Sequence, residues 1–284
     1  MKRGLVLEGG AMRVLFSAGV MDVMMENGIT FDGIIGVSAG AAFGCNYKSH
    51  QAGRALRYNV RFAHDWRFCS MRSWLTTGDL CGAEFAYRVL PKHLDIFDEE
   101  AFEADGTSFY VVATDIETGN PVYKMLDKCD FDFYEWIRAS ASMPLVSHVV
   151  EVEGRKMLDG GITDSVPLKY FESIGYERNI VVLTQHEGYK KKESRLGRLL
   201  RLTMRRYPRL AEAMDRRHIM YNSQREYIAE SERKGNCLVI RPDQPLPIGR
   251  ISHDPEMMKT VYDMGKRKAE SMLDEIREFC NRNA

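Results

Sequence analysis

A serine in a Gly-x-Ser-x-Gly pattern is the residue of this sequence best suited to covalent chemistry. The pattern runs Gly36-Val37-Ser38-Ala39-Gly40, after an apolar stretch and before a stretch of small residues. A serine on a sharp turn between a strand and a helix projects its hydroxyl from the sheet, and the helix N-terminus favours a developing oxyanion. We therefore predict that Ser38 is the nucleophile of an acyl transfer. A glycine-rich turn that binds a phosphate, or nothing, is the alternative.

A glycine-rich loop follows the first apolar run of the chain, at Gly9, Gly10 and Ala11. Backbone N–H groups at the carboxyl end of a strand can point at an anion. The dinucleotide pattern Gly-x-Gly-x-x-Gly fails because positions 11 and 14 are Ala11 and Val14, and no Walker A lysine follows. Since the next apolar run ends at Ser38, we expect this loop to serve that serine as an oxyanion loop. A tight turn without function is equally compatible with the loop alone.

A carboxylate followed by two glycines stands at Asp159-Gly160-Gly161. The glycines let the backbone turn sharply and leave the aspartate unobstructed, so that it could accept the serine proton directly. Aspartate is a weak base with a reference pKa of about 3.9, so it would need a hydrogen bond to Ser38 and desolvation. A plain Asp-Gly turn is one alternative, and a Ser–Asp–His triad is another. The downstream histidines that could complete such a triad are His186, His218 and His253.

These three motifs, in this order, resemble those of the patatin-like phospholipase family, and the chain looks like a bacterial patatin-like acyl hydrolase. The stretch Arg138-Ala139-Ser140-Ala141-Ser142-Met143-Pro144 is similar to the segment which that family carries between its serine and its aspartate. The resemblance covers roughly residues 4 to 185. It implies a three-layer α/β/α sandwich with a mainly parallel central sheet, and a Ser38–Asp159 dyad without histidine. It also implies a lipid or phospholipid ester as substrate, with no metal or organic cofactor.

The resemblance assigns roles to further residues of the same motifs. They are Gly9, Gly10 and Ala11 as oxyanion-hole donors, Arg13 as a brace of that loop, Gly36 and Gly40 beside the nucleophile, and Gly160 and Gly161 after the base. The chain departs from the family at Ala11 and Val14, where the family usually has glycine. Because a β-branched residue such as Val14 does not tolerate a positive φ, we expect this loop to take a different path.

The elements that position these motifs alternate between strands and helices, which predicts a parallel sheet with crossover helices. The predicted strands span 4–7, 31–37, 109–114, 122–125, 180–184 and 237–240, with a hairpin over 149–158 that turns at Glu153-Gly154. The predicted helices span 16–27, 39–47, 136–142 and 255–279. Residues 54–106 show no clean periodicity and are expected to form helices and loops.

A strongly basic segment runs from Lys190 to Arg209, with nine lysines and arginines and the one acid Glu193. Its apolar residues recur at helical spacing; they are Leu196, Leu199, Leu200 and Met204. Such a helix could lie peripherally on an anionic membrane surface, or it could be a solvated helix that packs its leucines on the core. We place a boundary here, between a catalytic core of residues 1–188 and a mostly helical region of residues 189–284. The latter is expected to pack on the core and to add one strand.

The amino-acid composition restricts the partners, metal sites and cellular locations that can be expected. Lysine plus arginine equals aspartate plus glutamate at 40 each in 284 residues, which argues against a nucleic-acid partner. The six cysteines are scattered without metal-ligand spacing, so we expect no zinc site but unpaired thiols in a reducing compartment. No apolar run approaches the roughly 20 residues of a spanning helix, and no signal peptide is evident. We therefore expect a cytoplasmic protein, at most peripheral at the membrane.

Three rival functions stay open at this point. A lipid- or acyl-binding protein could keep the fold without an activated serine, and a lipid transacylase could pass the acyl group to another alcohol. A nucleotide-binding regulator would use the Gly9-Gly10 loop, although the fingerprint there is incomplete.

Overall fold

One mixed sheet organises the protein. A computed structural model describes residues 1–194 and 196–281, and its strands are β1 (Arg3–Leu7), β2 (Gly33–Val37), β3 (Ser108–Asp115), β4 (Asn120–Leu126), β5 (Val150–Val152), β6 (Arg155–Asp159), β7 (Arg178–Val182) and β8 (Cys237–Ile240). They lie in the order β5-β6-β3-β2-β1-β7-β8, and β4 pairs with β3. The neighbours from β3 through β8 pair in parallel, whereas β4 and β6 run antiparallel to β3, and β5 antiparallel to β6.

Helices connect and cover these strands. They are α1 (Val14–Glu26), α2 (Ala39–Lys48), α3 (Arg54–Arg61), α4 (Met71–Thr77), α5 (Glu99–Ala104), α6 (Phe131–Ala141), α7 (Leu168–Ser173), α8 (Leu196–Thr203), α9 (Pro208–Arg233), α10 (Pro255–Ser271) and α11 (Leu273–Asn281). A π-helical segment spans Phe85–Leu94, and short 3-10 turns span Ala11–Arg13 and Gly160–Ile162.

The two faces of the sheet are covered by different helices. Alternate residues of a strand point to opposite faces, and Leu5 and Leu7 of β1 accordingly share a core with residues of α1, α2 and α10. Val6 instead packs in a second core with Phe171 of α7 and Ile228 of α9. The predicted three-layer α/β/α sandwich with a mainly parallel sheet and a helical C-terminal region is confirmed.

The C-terminal region is built into this sandwich. Strand β8 pairs in parallel with β7 at the edge of the sheet. Helix α10 lies so close to α1 that a Cβ on Gly19 would stand 2.1 Å from the carbonyl oxygen of Tyr262, and one on Gly265 would stand 1.9 Å from that of Phe16. Parts of the regions predicted from the sequence lie outside the described part of the chain. In the basic segment these are Arg195 and the side chain of Leu196, and at the C-terminus they are residues 282–284.

Two predictions from the sequence are wrong. The helix expected over 255–279 is two helices, because Met272 leaves the helical region with φ −108° and ψ 8°. The cysteines were expected to be unpaired, but Cys69 and Cys81 form a disulfide, since α4 returns the chain so that these residues pair in an antiparallel bridge. Cys45, Cys129, Cys237 and Cys280 are free.

Across the described helices, none is both long and apolar enough to cross a bilayer.

Candidate active site

Ser38 occupies a strained turn between β2 and α2. Its φ of 58° and ψ of −130° lie where residues with a side chain are disfavoured. The flanking glycines allow α2 to pack tightly, because a Cβ on Gly36 would lie 2.5 Å from the Cα of Ala41 and one on Gly40 would lie 2.7 Å from the carbonyl oxygen of Leu7. The turn therefore presents the Ser38 side chain beyond the end of the sheet, at the N-terminus of a helix.

The register of β3 brings Asp159 to this serine. Val112 of β3 pairs with Val37, and the next residue, Ala113, pairs with Asp159. Strand β4 pairs with the other edge of β3, over Phe109 to Asp115. Strands β2 and β6 therefore share the remaining edge of β3 and meet there end to end. Strand β2 ends at Val37, directly before Ser38, and β6 ends at Asp159.

The Asp159 carboxyl is buried and hydrogen-bonded. Asp159 has 2% of its surface exposed and accepts the Gly161 N–H at 2.7 Å, and the nearby Ser38 side chain favours the charged form of the carboxyl. Burial raises the pKa of this carboxyl, and the charge of Arg217, the Ser38 hydroxyl and the Gly161 N–H oppose that rise. Desolvation therefore makes Asp159 a stronger base than an exposed aspartate, as proton transfer from a serine requires.

The end of α6 holds both members of this pair. The hydroxyl of Ser140 accepts the Ser38 N–H at 2.8 Å and donates to the carbonyl oxygen of Val112 at 2.7 Å. The carbonyl oxygen of Ser142 accepts the Asp159 N–H at 2.8 Å. The sequence identified this segment by similarity alone, and the structure gives it a positioning role.

The glycine-rich loop lies directly beside Ser38. A Cβ on Gly9 would stand 2.9 Å from that of Ser38, and one on Gly10 would stand 2.8 Å from the hydroxyl of Thr184. Within residues 1–194 and 196–281, the N–H groups of Gly9, Gly10 and Ala11 donate to no acceptor. Free N–H groups beside a nucleophile can stabilise an oxyanion.

Basic side chains from the C-terminal region enter the same pocket. Its lining includes Lys191, Arg217 of α9 and Arg250, together with Arg13. Arg217 donates through Nε to the carbonyl oxygen of Gly161 at 2.6 Å, so it touches the loop that follows Asp159. The sequence pattern did not point to Lys191, Arg217 or Arg250 as site residues, because no short motif surrounds them.

Comparison with known families agrees with this geometry. The family model described as patatin-like phospholipase matches residues 5–172. The chain belongs to the patatin-like phospholipase family. The resemblance predicted from the four motifs is thereby confirmed. A second family, described only as a domain of unknown function (DUF6363), matches residues 207–281, which include Arg217 and Arg250.

Similar proteins include two curated relatives and one solved structure. The uncharacterized protein YjjU of Escherichia coli (strain K12) is 31% identical over 63% of this chain and 51% of its own length. Lysophospholipase nte1 of Aspergillus terreus is 27% identical over 96% of this chain but 18% of its own length. The chain thus spans about half or less of these curated relatives. VipD from Legionella pneumophila matches with a TM-score of 0.47 and 12% identity, over 96% of this chain and 67% of that chain.

The two departures from the patatin-like pattern differ in their consequences. Ala11 takes a positive φ of 51°, so an alanine here adopts a conformation that favours glycine. Val14 has a φ of −67° and ψ of −10°, which suit a β-branched residue at the start of α1. The positive φ expected to conflict with Val14 therefore falls at Ala11 instead. Arg13 lines the pocket through a side chain whose buried Nε has no hydrogen-bond partner in the described chain.

The histidines that could complete a triad in a patatin-like site lie elsewhere. Nδ1 of His186, of His218 and of His253 each lies within hydrogen-bonding distance of a backbone carbonyl oxygen, those of Glu187, Asp215 and Ala63, respectively. Among the described residues, none of the histidines lines the pocket at Ser38.

Proposed function

We propose that the protein is a serine acyl-ester hydrolase with a Ser38–Asp159 dyad that cleaves lipid esters. Asp159 accepts the hydroxyl proton while Ser38 Oγ attacks the acyl carbonyl, and the proton then passes to the departing alkoxide. Asp159 then takes a proton from water as the water oxygen attacks the acyl-serine, and it returns that proton to Ser38 Oγ as the bond to the acyl group breaks and the fatty acid leaves. The buried Asp159 carboxyl stands beside Ser38 where the ends of β6 and β2 meet on one edge of β3, and this placement carries the proposal.

The oxyanion of each tetrahedral intermediate would lie against the N–H groups of Gly9, Gly10 and Ala11. Two observations support this assignment: these donors have no acceptor in the described chain, and the loop comes within contact distance of Ser38. Arg13 would brace this loop from the following turn.

A lipid substrate follows from the family and from relatives that are named lysophospholipases. The surface near α8 supports membrane contact, because Leu199 and Leu202 are 45% and 66% exposed in a basic helix while Leu200 is buried against the protein. We propose that this segment, within Lys190 to Arg209, lies peripherally on an anionic membrane.

Vesicle co-sedimentation tests the membrane contact. Leu202→Gln should weaken binding to anionic vesicles, whereas Leu75→Gln, which alters a leucine 75% exposed on α4, should not. Equal binding of both variants and the wild type would remove α8 from the proposal.

We propose a cytoplasmic location at such a membrane, and a functional division between residues 1–188, which carry the dyad, and residues 189–284, which complete its pocket. Fractionation of cells tests this location: the protein should be recovered with the cytoplasm and with its membrane-bound fraction, and recovery outside the cytoplasm would contradict the proposal.

Hydrolysis of short-chain p-nitrophenyl esters and lysophospholipids tests the proposed function. Ser38→Ala should abolish turnover and Asp159→Asn should lower kcat by several orders of magnitude. Ser223→Ala, at an exposed serine of α9, is the matched control and should retain wild-type rates. Activity that survives in Ser38→Ala would overturn the proposal.

A further inference from the structure

The pocket around Ser38 has an excess of cationic side chains that no carboxylate neutralises directly. Its lining holds four basic and two acidic residues; they are Arg13, Lys191, Arg217 and Arg250, with Glu8 and Asp159. Across the described chain, none of the four basic residues forms an ion pair. Their neighbours do: Arg201 pairs with Asp215, and Arg216 with Glu212 at 3.6 Å.

Both acids of the lining are already engaged by other groups. Glu8 accepts the Thr184 N–H at 2.6 Å and the Tyr221 hydroxyl at 2.7 Å. Asp159 accepts the Gly161 N–H at 2.7 Å and is the base of the proposed dyad. The positive charge of the four basic residues is therefore available to a ligand.

Lys191 is held in place at this site. The backbone N–H of Lys191 donates to the side-chain oxygen of Asn222 at 2.8 Å. The side-chain nitrogen of Asn222 donates in turn to the backbone carbonyl oxygen of Lys191 at 3.0 Å. Its Nζ lies 4.2 Å from the centre of the Tyr221 ring. Burial, followed by the charge of Arg217, lowers the pKa of Lys191 to about 7. A partly buried lysine beside arginines is unfavourable unless an anion joins them.

Arg217 can contact an anion without leaving its place. Its Nε is occupied by the carbonyl oxygen of Gly161, which leaves its terminal nitrogens for a ligand. A guanidinium offers paired donors that match phosphate oxygens, and an ammonium adds a point charge.

We propose that Lys191, Arg217 and Arg250 bind the phosphate of a lipid ester beside the acyl group that Ser38 attacks. This inference rests on the proposed function and adds the headgroup to it. With Lys191 protonated, the four basic and two acidic residues of the lining leave an excess of two positive charges, which matches a phosphate monoester dianion. The preferred substrate is then an acylglycerol phosphate rather than a choline ester or an uncharged acylglycerol. The C-terminal region supplies all three residues, which gives it a role in substrate selection.

Kinetics with soluble short-chain substrates test this assignment in the full-length protein. The ratio of kcat/KM for an acylglycerol phosphate to that for the uncharged acylglycerol with the same acyl chain should favour the phosphate ester in the wild type. Lys191→Gln and Arg250→Gln should each lower this ratio by about tenfold or more. Lys192→Gln changes the exposed neighbouring lysine, and should leave the ratio as in the wild type.

Two further experiments are needed. One distinguishes binding of a lipid phosphate from binding of free phosphate, and the other distinguishes loss of binding from loss of folding. Inorganic phosphate should inhibit the phosphate ester competitively in the wild type and weakly in Lys191→Gln. Inhibition with no substrate preference would mean that the site binds free phosphate only, which overturns the headgroup assignment. Lys191→Arg should retain the preference, so that a loss confined to Lys191→Gln is due to charge.

Failure of this inference can be told from failure of the proposed function. If Ser38→Ala still hydrolyses the uncharged ester, the proposed function fails. If hydrolysis depends on Ser38 but the substrate ratio of Lys191→Gln equals that of the wild type, the headgroup inference alone is overturned.

Discussion

The hydroxyl of Ser140 accepts the backbone N–H of Ser38 at 2.8 Å and donates to the carbonyl oxygen of Val112 at 2.7 Å. One buried side chain thus ties the nucleophile's turn to the central strand β3. Because the Ser38 backbone is strained, this bond helps to keep the turn in its active conformation.

Ser140→Ala should lower kcat by about tenfold or more and reduce the free energy of unfolding by about 1 to 3 kcal/mol, since it leaves a buried N–H and a carbonyl oxygen unpaired. Ser142→Ala is the matched control, because that hydroxyl donates to the Arg138 carbonyl oxygen one helical turn back and does not touch the dyad. Ester kinetics and chemical denaturation measure both effects. Equal losses in the two variants would contradict the role of Ser140.

The strain at Ser38 predicts a conflict between stability and activity. Ser38→Gly and Ser38→Ala both remove the hydroxyl, but only glycine adopts φ 58° without a steric penalty. The glycine variant should therefore exceed the alanine variant by about 1 to 2 kcal/mol in free energy of unfolding, with both inactive. Chemical denaturation of the two variants checks this, and an alanine variant of equal or greater stability would refute strain at this turn.

Asp159 and Arg217 predict the acid limb of the pH profile. Asp159 must be ionised to act as a base, and burial raises its pKa, so kcat/KM should fall with acid at a pH above the ordinary value of 3.8. The positive charge of Arg217 opposes that rise, so Arg217→Gln should move the limb to higher pH. Arg216→Gln, at the exposed neighbour, should leave it in place. An acid limb that stays fixed in Arg217→Gln would show that another group titrates.

Lys191 predicts a second pH dependence, in substrate preference. Its pKa is lowered to about 7 by burial and Arg217, with Arg250 and Arg13 lowering it further and Glu8 opposing them. Lys191 therefore carries its charge below that pH, and the preference for a phosphate ester should decline above it. In Lys191→Arg the charge persists, so the preference should persist too. The pH dependence of kcat/KM reports ionisations of the free enzyme. The wild type and Lys191→Arg are therefore compared at each pH on the same pair of substrates. Identical profiles would contradict the role of Lys191.

Ser38 and Asp159 could be predicted as candidate site residues from the sequence, because each comes at the end of an apolar stretch and has glycines beside it. Glycines lie on both sides of Ser38 and directly after Asp159, as a sharp turn requires. What the sequence could not supply is the register of β3, which places Val37 and Asp159 opposite consecutive residues. Pairing between distant strands depends on long-range packing, which local patterns do not encode.

The long helix α9 was missed for a related reason. Its buried residues Met214, Tyr221 and Ile228 recur every seven positions, but the positions that would complete the apolar stripe are polar. Arg217 donates to Gly161, and Gln224 donates to Asp164. These side chains bond to the loops of the active site, so the inward face of α9 lacks the periodicity of an ordinary core helix. The polar residues that contact the active-site loops therefore interrupt the apolar pattern by which the helix could have been predicted.

The most direct test of the central claim is identification of the residue that a fluorophosphonate probe modifies, by mass spectrometry of peptides from the intact protein. We predict one adduct, on Ser38, absent in Ser38→Ala and formed much more slowly in Asp159→Asn. Labelling of Ser38 at an unchanged rate in Asp159→Asn, or labelling of another residue instead, would contradict a Ser38–Asp159 dyad.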